Sequence, residues 1–333
     1  MPGLQDDETP GIKYREGRLS MAIRESMKWI WFLIILVLVF FYIRGDKETM
    51  KLDNELRQGQ EGAFVLLSNG YTHYELLGPE TGRVVVLVHG LSIPMFDWDL
   101  QIDALTSAGY RVLRYDHFGR GYSDRPHAEY NRSFYVSQLL ELLNALKIKG
   151  PINMVAHSFG GGIAAEFTVR NPDLVDRVVF VAPVYHAAKD NIGIKLVRVP
   201  LLGSYLARLI LVSSLTKRAN AIFADSNLAD ASSFEDRFAQ QTRIEGFEQS
   251  VISMFRSDAL DSYEMTYASL GQQDSKMLLV WGDNDESVSN DDIENIRRLV
   301  PTMEFVLLPG VSHSPNLQVP DRFNSLILEF LQE

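Results

Sequence analysis

The chain has 333 residues, 46% hydrophobic and 23% charged, which is enough apolar material for one large domain or two small ones. Its formal net charge of −11 argues against a nucleic-acid binder, which needs a basic face to neutralise phosphates. The absence of cysteine excludes disulfides, thiolate metal sites and a cysteine nucleophile, and no pair of the seven histidines takes the His-Glu-x-x-His spacing of a catalytic zinc.

Residues 1–28 are polar, with Pro2, Pro10 and mixed charges, and read as a flexible tail. The run from Trp29 to Ile43, WIWFLIILVLVFFYI, is apolar on every side and reads as a membrane anchor rather than a helix lying flat on a surface. At about 1.5 Å per residue it spans roughly 22 Å, short of the ~30 Å hydrocarbon core. Snorkelling by Lys28 and Arg44 and interfacial seating of Trp29, Trp31 and Tyr42 close much of that gap. A cleaved signal peptide fits less well, since RGDKET after Ile43 has no small-residue cleavage site. Bases flank both ends, so the positive-inside rule leans only slightly towards a cytoplasmic N-terminus, with the catalytic domain on the opposite side. Residues 44–62 are charged and Gly/Gln-rich and read as a linker.

From Ala63 strands and helices alternate. AFVLLS and YTHYELL flank Asn69-Gly70, the strongest two-residue hairpin signal. RVVVLV (83–88) is a β-branched run expected of a strand buried on both faces, and similar runs recur at 111–115, 152–156, 178–182, 277–281 and 304–308. Helical patterns at 97–107, 134–148 and 161–170 separate them, so the rhythm predicts a mostly parallel sheet flanked by helices. The core takes residues 63–184 and 259–333. Residues 185–258 break the rhythm with apolar helical segments and no strand, and read as a helical cap over the active site. Leu201, Leu206 and Leu209 are its candidate pocket residues.

Four stretches carry chemistry. VAHSFGGG (155–162) follows a predicted strand and opens a helix, placing Ser158 on a sharp turn that needs small residues two before and two after it. Those positions hold Ala156, a departure from glycine, and Gly160. His157 beside the nucleophile points elsewhere and reads as structural. VHGLS (88–92) closes a strand and offers the backbone N–H of Leu91, paired with that of Phe159, to a developing oxyanion; its His89 reads as structural. VWGDNDESV after the strand 277–281 clusters acids at calcium-loop spacings, but the turn glycine is replaced by Val288 and no helix precedes it. One carboxylate of this loop orients an imidazole, with Asp285 favoured and Asp283 second. LLPGVSHSPNLQVP brings His313 onto a loop just past the last strand, completing the order Ser…Asp…His.

From about Ala63 to its C-terminus the sequence resembles an α/β-hydrolase. VHGLS, YDHFGRGYSDRP (115–126), AHSFGG, WGDNDESV and GVSHSP are similar to that family's markers in their usual order. Within that family it resembles the membrane-anchored monoacylglycerol lipases and related bacterial lipases and esterases. The resemblance implies a triad of Ser158, Asp285 and His313, an oxyanion hole at Leu91 and Phe159, and no metal or other cofactor. It assigns Asp116 and Ser123 to local backbone donors. It implies a small-molecule ester or lipid substrate cleaved through an acyl-enzyme. Carbon–carbon bond hydrolysis or perhydrolysis on the same triad is the alternative within the fold, and ligand binding without catalysis is the alternative outside enzymology.

Overall fold

A computed structural model describes residues 10–187 and 191–332, with side chains from residue 24 onward. Residues 1–9 of the expected tail lie outside the described residues. The chain divides into two compact units between Asp46 and Lys47. The first is helix α1 (Pro10–Gly45), so residues 10–28 are helical rather than a loose tail. Proline suits the first helical turn, and Lys28 Nζ donates to a Glu25 carboxylate oxygen one turn back at 2.6 Å. Within α1 the apolar span runs from Arg24 to Gly45, 22 residues with mean hydropathy 2.2 and none of its apolar window buried. That length rises about 33 Å, with Arg24, Glu25, Lys28 and Arg44 near its ends and the uncharged run Trp29–Ile43 between them.

The second unit opens with α2 (Asn54–Gln58), capped by Asp53, whose carboxylate accepts from Leu56 N at 3.0 Å. There follow β1 (Ala63–Leu67), β2 (Gly70–Leu77), β3 (Val84–Val88), a 3₁₀ turn (Met95–Gln101), α3 (Ile102–Ser107), β4 (Arg111–Tyr115), α4 (Arg132–Ala145), β5 (Ile152–His157), α5 (Phe159–Arg170) and β6 (Val175–Val181). The cap comprises α6 (Ile192–Val197), α7 (Leu202–Leu206), α8 (Val212–Ala224), α9 (Ala231–Thr242) and α10 (Phe247–Arg256). The core resumes with α11 (Glu264–Leu270), β7 (Lys276–Gly282), α12 (Asn290–Leu299), β8 (Glu304–Leu308), α13 (Pro315–Gln318) and α14 (Pro320–Gln332). One eight-stranded sheet runs β1-β2-β4-β3-β5-β6-β7-β8. β2 is antiparallel to both neighbours, and every pair from β4 to β8 is parallel.

The parallel strands are apolar on both faces because helices cover both. Val86, Met154, Val178 and Leu279 pack on one side in the core that includes α4, α5 and α11. Val85, Val155, Val179 and Val280 pack on the other with Trp98, Leu105 of α3 and Phe323 and Ile327 of α14. Alternate residues therefore serve opposite layers, each fully buried side chain contributing about 1.5–3 kcal/mol. A third cluster, with Phe96 and Leu317 from the core and Phe223, Phe234 and Phe238 from α8 and α9, seats the cap.

Two local expectations are corrected. The hairpin loop is Ser68–Asn69, not Asn69-Gly70, because Gly70 pairs with Leu67 in the ladder. Gly70 sits at φ +135°, and a Cβ there would stand 2.7 Å from the Asp124 carboxylate, which accepts from Tyr71 N at 2.8 Å. Nor is the stretch 44–62 a free linker. Thr49 and Met50 N–H groups donate to Arg243 O at 2.7 and 2.9 Å, and Glu245 N donates to Met50 O at 2.8 Å. Glu48 caps α10 from outside the helix: its two carboxylate oxygens accept from Gly246 N at 2.8 Å and Glu248 N at 2.7 Å. These are orphan donors at the positive end of a helix, where an anion is most effective. Glu48→Ala should therefore lower stability by about 1–2 kcal/mol, read as a reduced urea midpoint with an unchanged slope.

Candidate active site

Strand β5 enters the sheet's carboxyl edge and stops at Ser158, which has φ 53° and ψ −117° and stands immediately before α5. Three backbone bonds fix the turn: Ser158 N donates to Val181 O at 2.9 Å, and Gly161 N and Val184 N both donate to Ser158 O at 3.0 Å. The residues around it divide by geometry. Ala156 is an ordinary strand residue whose methyl packs into the buried core, so its departure from glycine is harmless. Gly160 has no such freedom, since a Cβ would lie 2.4 Å from Val88 O and 2.5 Å from His89 O.

The loops after β7 and β8 bring the other two groups to the serine. His313 Nε2 lies 2.9 Å from Ser158 Oγ, and its Nδ1 lies 2.8 Å from Asp285 Oδ2. The other Asp285 oxygen accepts from Ser287 N at 2.7 Å and Val288 N at 3.0 Å, which leaves the carboxylate one orientation. Asp283 is elsewhere: exposed, it accepts from Gly310 N at 2.6 Å and caps the turn after β8. Burial pulls the His313 imidazole below its ordinary 6.5, partly opposed by the Asp285 charge, so it is neutral and basic at pH 7. Burial pushes the Asp285 carboxyl up, but the His313 ring and the backbone donors outweigh it and hold it below the usual range.

Leu91 and Phe159 both lie in the wall of the cavity that contains Ser158. A Cβ on Gly90, next to Leu91, would touch Ser158 Cβ at 3.4 Å. The loop carrying Leu91 is pinned on both sides. His89 Nδ1 donates to Gly90 O at 2.7 Å, its Nε2 accepts from His117 N at 2.9 Å, and Arg120 Nε donates to Leu91 O at 2.6 Å. Arg120 is buried with no carboxylate partner, held instead by Gly119 O, Ser250 Oγ and the Met254 sulfur. Asp116 accepts from Met95 N and Tyr122 N, both at 2.9 Å, and Ser123 Oγ accepts from His73 N at 2.9 Å.

Sequence reasoning missed a second acid–imidazole pair behind the first. His157 Nδ1 lies 2.7 Å from Asp97 Oδ2 and its Nε2 lies 2.9 Å from His313 O. Asn316 Nδ2 donates to Asp97 O at 2.6 Å and to its Oδ1 at 3.2 Å. Both ring nitrogens of His157 face acceptors, so the imidazolium, with two N–H donors, satisfies the site best. Burial opposes that charge, but Asp97 outweighs it and raises His157 above 6.5. The only advance signal was a pair of acids in FDWDLQ, of which Asp99 instead binds Arg114 and Arg237.

Above Ser158 lies a cavity of about 670 Å³ walled by apolar side chains that include Ile194, Leu206, Leu211, Leu215, Phe255 and Val288. Of the three leucines expected there, Leu206 lines it; Leu209 does not, and Leu201 is 88% exposed because its positive φ turns it away from the cap interior. Arg218, Glu286 and Asp292 stand among the polar residues of the wall. Among the described residues no three His, Asp or Glu side chains converge as metal ligands. The arrangement is competent for nucleophilic chemistry at Ser158: an oxygen nucleophile, a neutral base in contact with it and an oriented acid.

The buried Asp97–His157 pair yields a stability prediction. His157 is raised, so its contribution is complete below the unfolded value of 6.5 and is lost as pH rises through the folded value. Asp97 is lowered, so its contribution is complete above 3.8 and is lost as pH falls through the folded value. Asp97→Asn should cost about 3–5 kcal/mol, with the largest Tm difference from wild type between those two ordinary values and a shrinking difference above them.

A family model described as alpha/beta hydrolase fold matches residues 83–320. A 2-hydroxy-6-oxononadienedioate/2-hydroxy-6-oxononatrienedioate hydrolase of Cupriavidus pinatubonensis is 26% identical over 286 residues, covering 80% of this chain and 94% of that protein. The structure of a meta-cleavage product hydrolase from Pseudomonas fluorescens superposes with a TM-score of 0.63 at 25% identity, over 81% of this chain and 97% of that one. An esterase from Exiguobacterium antarcticum shares the fold with a TM-score of 0.65 at 18% identity, over 82% and 100% of the two chains. With the family model covering well over half of its length, this chain belongs to the α/β-hydrolase family.

Proposed function

We propose that this protein is a serine ester hydrolase, held to a membrane by the apolar span Arg24–Gly45, that cleaves neutral lipid-like acyl esters such as monoacylglycerols. The observation that carries the reading is the hydrogen-bonded line Ser158–His313–Asp285 opening into an apolar cavity. His313 Nε2 takes the Ser158 hydroxyl proton as Oγ attacks the ester carbonyl. The N–H groups of Phe159 and Leu91 receive the oxyanion, and His313 returns the proton to the departing alcohol oxygen. Water, deprotonated by His313, then attacks the acyl carbon, and collapse of the second oxyanion frees the carboxylic acid and restores Ser158. Asp285 stays ionised throughout and balances the imidazolium.

Carbon–carbon bond hydrolysis is the second reading, favoured by the similarity to the Cupriavidus hydrolase, which is named for dicarboxylate substrates. The cavity wall supports the neutral ester instead. Arg218 is the one Lys or Arg among the described residues of that wall and donates to Ser287 Oγ, while Glu286 and Asp292, the latter 3.5 Å from His186 Nδ1, add carboxylates to it.

Ser158→Ala should reduce turnover by about 10⁶-fold and Asp285→Asn by about 10⁴-fold, whereas Asp283→Asn should stay within about tenfold of wild type. Because His313 must be neutral and its pKa lies below 6.5, kcat/KM should be flat at neutral pH and fall only as pH drops through that lowered value. A reversal of the two aspartate effects, or a profile that falls above pH 6.5, would remove the assignment.

Substrate class is read from a series of p-nitrophenyl esters beside a vinylogous diketone. With about 0.8 kcal/mol per buried methylene, kcat/KM should rise about fourfold per carbon until the cavity is full. Leu206→Ala should move that optimum and Leu201→Ala should not. A kcat/KM higher for the diketone than for every ester would transfer the protein to the carbon–carbon class.

A further inference from the structure

In a chain of net charge −11, residues 191–224 contain Lys195, Arg198, Arg208, Lys217 and Arg218 and no carboxylate. Arg198 and Arg208 pair with Asp261 and Glu248. Lys195 and Lys217 remain exposed, and Lys47 joins them by donating to Ser213 Oγ of α8 at 3.0 Å. The same segment exposes Ile192 (71%), Leu201 (88%), Leu202 and Val199. Leu201 holds φ +59°, a conformation that L side chains rarely adopt, so an apolar side chain is held outward against a backbone penalty.

Two features identify what covers this face. First, Leu196 and Ile210 are exposed and also line the cavity, so apolar surface continues from the outside of the cap into the cavity above Ser158. Second, the apolar span ends at Gly45 and Lys47 is already bonded to the cap. Asp46 alone separates them, a reach of about 7 Å. A surface that combines exposed lysines with exposed apolar side chains, on a unit joined directly in sequence to an apolar span, matches an anionic bilayer interface.

We infer that the cap face bearing Ile192, Val199, Leu201 and Leu202 inserts into the interface of an anionic bilayer, and that ester substrates enter from the lipid past Leu196 and Ile210. The inference rests on the reading of Arg24–Gly45 as a membrane anchor.

The chain's lack of cysteine permits a direct test. Leu201→Cys and, as a control on α11, Met265→Cys (78% exposed) are each labelled with an environment-sensitive fluorophore in the full chain. Each is reconstituted in phosphatidylcholine vesicles with and without phosphatidylglycerol. Doxyl-labelled lipids should quench the probe at 201 several-fold more than at 265, and more strongly with phosphatidylglycerol present. Leu201→Asp should lower hydrolysis of a long-chain monoacyl ester in vesicles by about tenfold, yet change hydrolysis of a short soluble ester less than about twofold. Equal quenching at both positions in protein that resists carbonate extraction would overturn the docking face alone. Release by carbonate would overturn the anchor and the docking with it. Ready disulfide formation between Leu201→Cys chains, without quenching, would assign the face to a second copy of this chain and overturn the lipid reading.

Discussion

The structure depends on one strained turn. Ser158 occupies φ 53° and ψ −117°, a region that costs an L-residue about 1–3 kcal/mol and persists only where its surroundings over-determine it. They do so here from both sides. Strand β6 accepts the Ser158 N–H through Val181 O, the chain beyond β6 returns Val184 N to Ser158 O, and Gly160 lets α5 close onto the carbonyls of Val88 and His89. The last contact places the start of α5 against the end of β3. An ordinary β-to-α connection would release the strain and separate those two elements.

Around that turn the protein uses two acid–imidazole pairs in opposite protonation states. His313 has one acceptor, Asp285, and one hydroxyl partner, so a neutral ring satisfies both contacts. His157 has acceptors at both nitrogens, a carboxylate and the carbonyl of His313 itself. The buried charged pair thus holds the backbone of His313, the proposed base, while its own positive ring helps keep that residue unprotonated. Buried ion pairs are poor sources of net stability, and their best-supported use is to fix one arrangement among several. Fixing His313 to within hydrogen-bonding distance of Ser158 is a use of that kind.

The sheet was legible in the sequence because strands buried on both faces leave continuous β-branched runs, and each run from 83–88 onward lies on a strand of the structure. The loops bearing Ser158, Asp285 and His313 were legible because each directly follows such a run. What escaped depended on partners distant in sequence. Asp97 meets His157 across 60 positions and Asn316 across 219, and no local pattern encodes either contact. The stretch 44–62 has the composition of a linker, yet Glu48 finds its donors 198 and 200 residues away. The hairpin slipped by one residue because the Asp124 carboxylate at Gly70 outweighed the local turn preference. Leu201 and Leu206 look equivalent in a helical pattern, but a break at Pro200–Leu201 sends one to solvent and the other to the cavity.

That stretch also joins the site through a continuous set of contacts. Glu48 fixes the first N–H groups of α10; Ser250 and Met254 of α10 hold the Arg120 guanidinium; Arg120 donates to Leu91 O in the loop beside Ser158. Burial pulls the Arg120 pKa down, and with no carboxylate partner among the described residues its charge is met by carbonyls, a hydroxyl, a sulfur and the face of the Phe247 ring. Such a cation is costly to relocate, because every alternative position forfeits those contacts while keeping the desolvation. Contiguity alone does not make a signalling path, which would need an element with two arrangements. The contacts instead supply stiffness: the loop offering the Leu91 N–H is tied to a cap helix, and that helix is capped by a residue three positions past the apolar span. The cap, residues 48–50 and the loop of Leu91 are therefore joined by direct contacts around Ser158, beside which the apolar cavity opens.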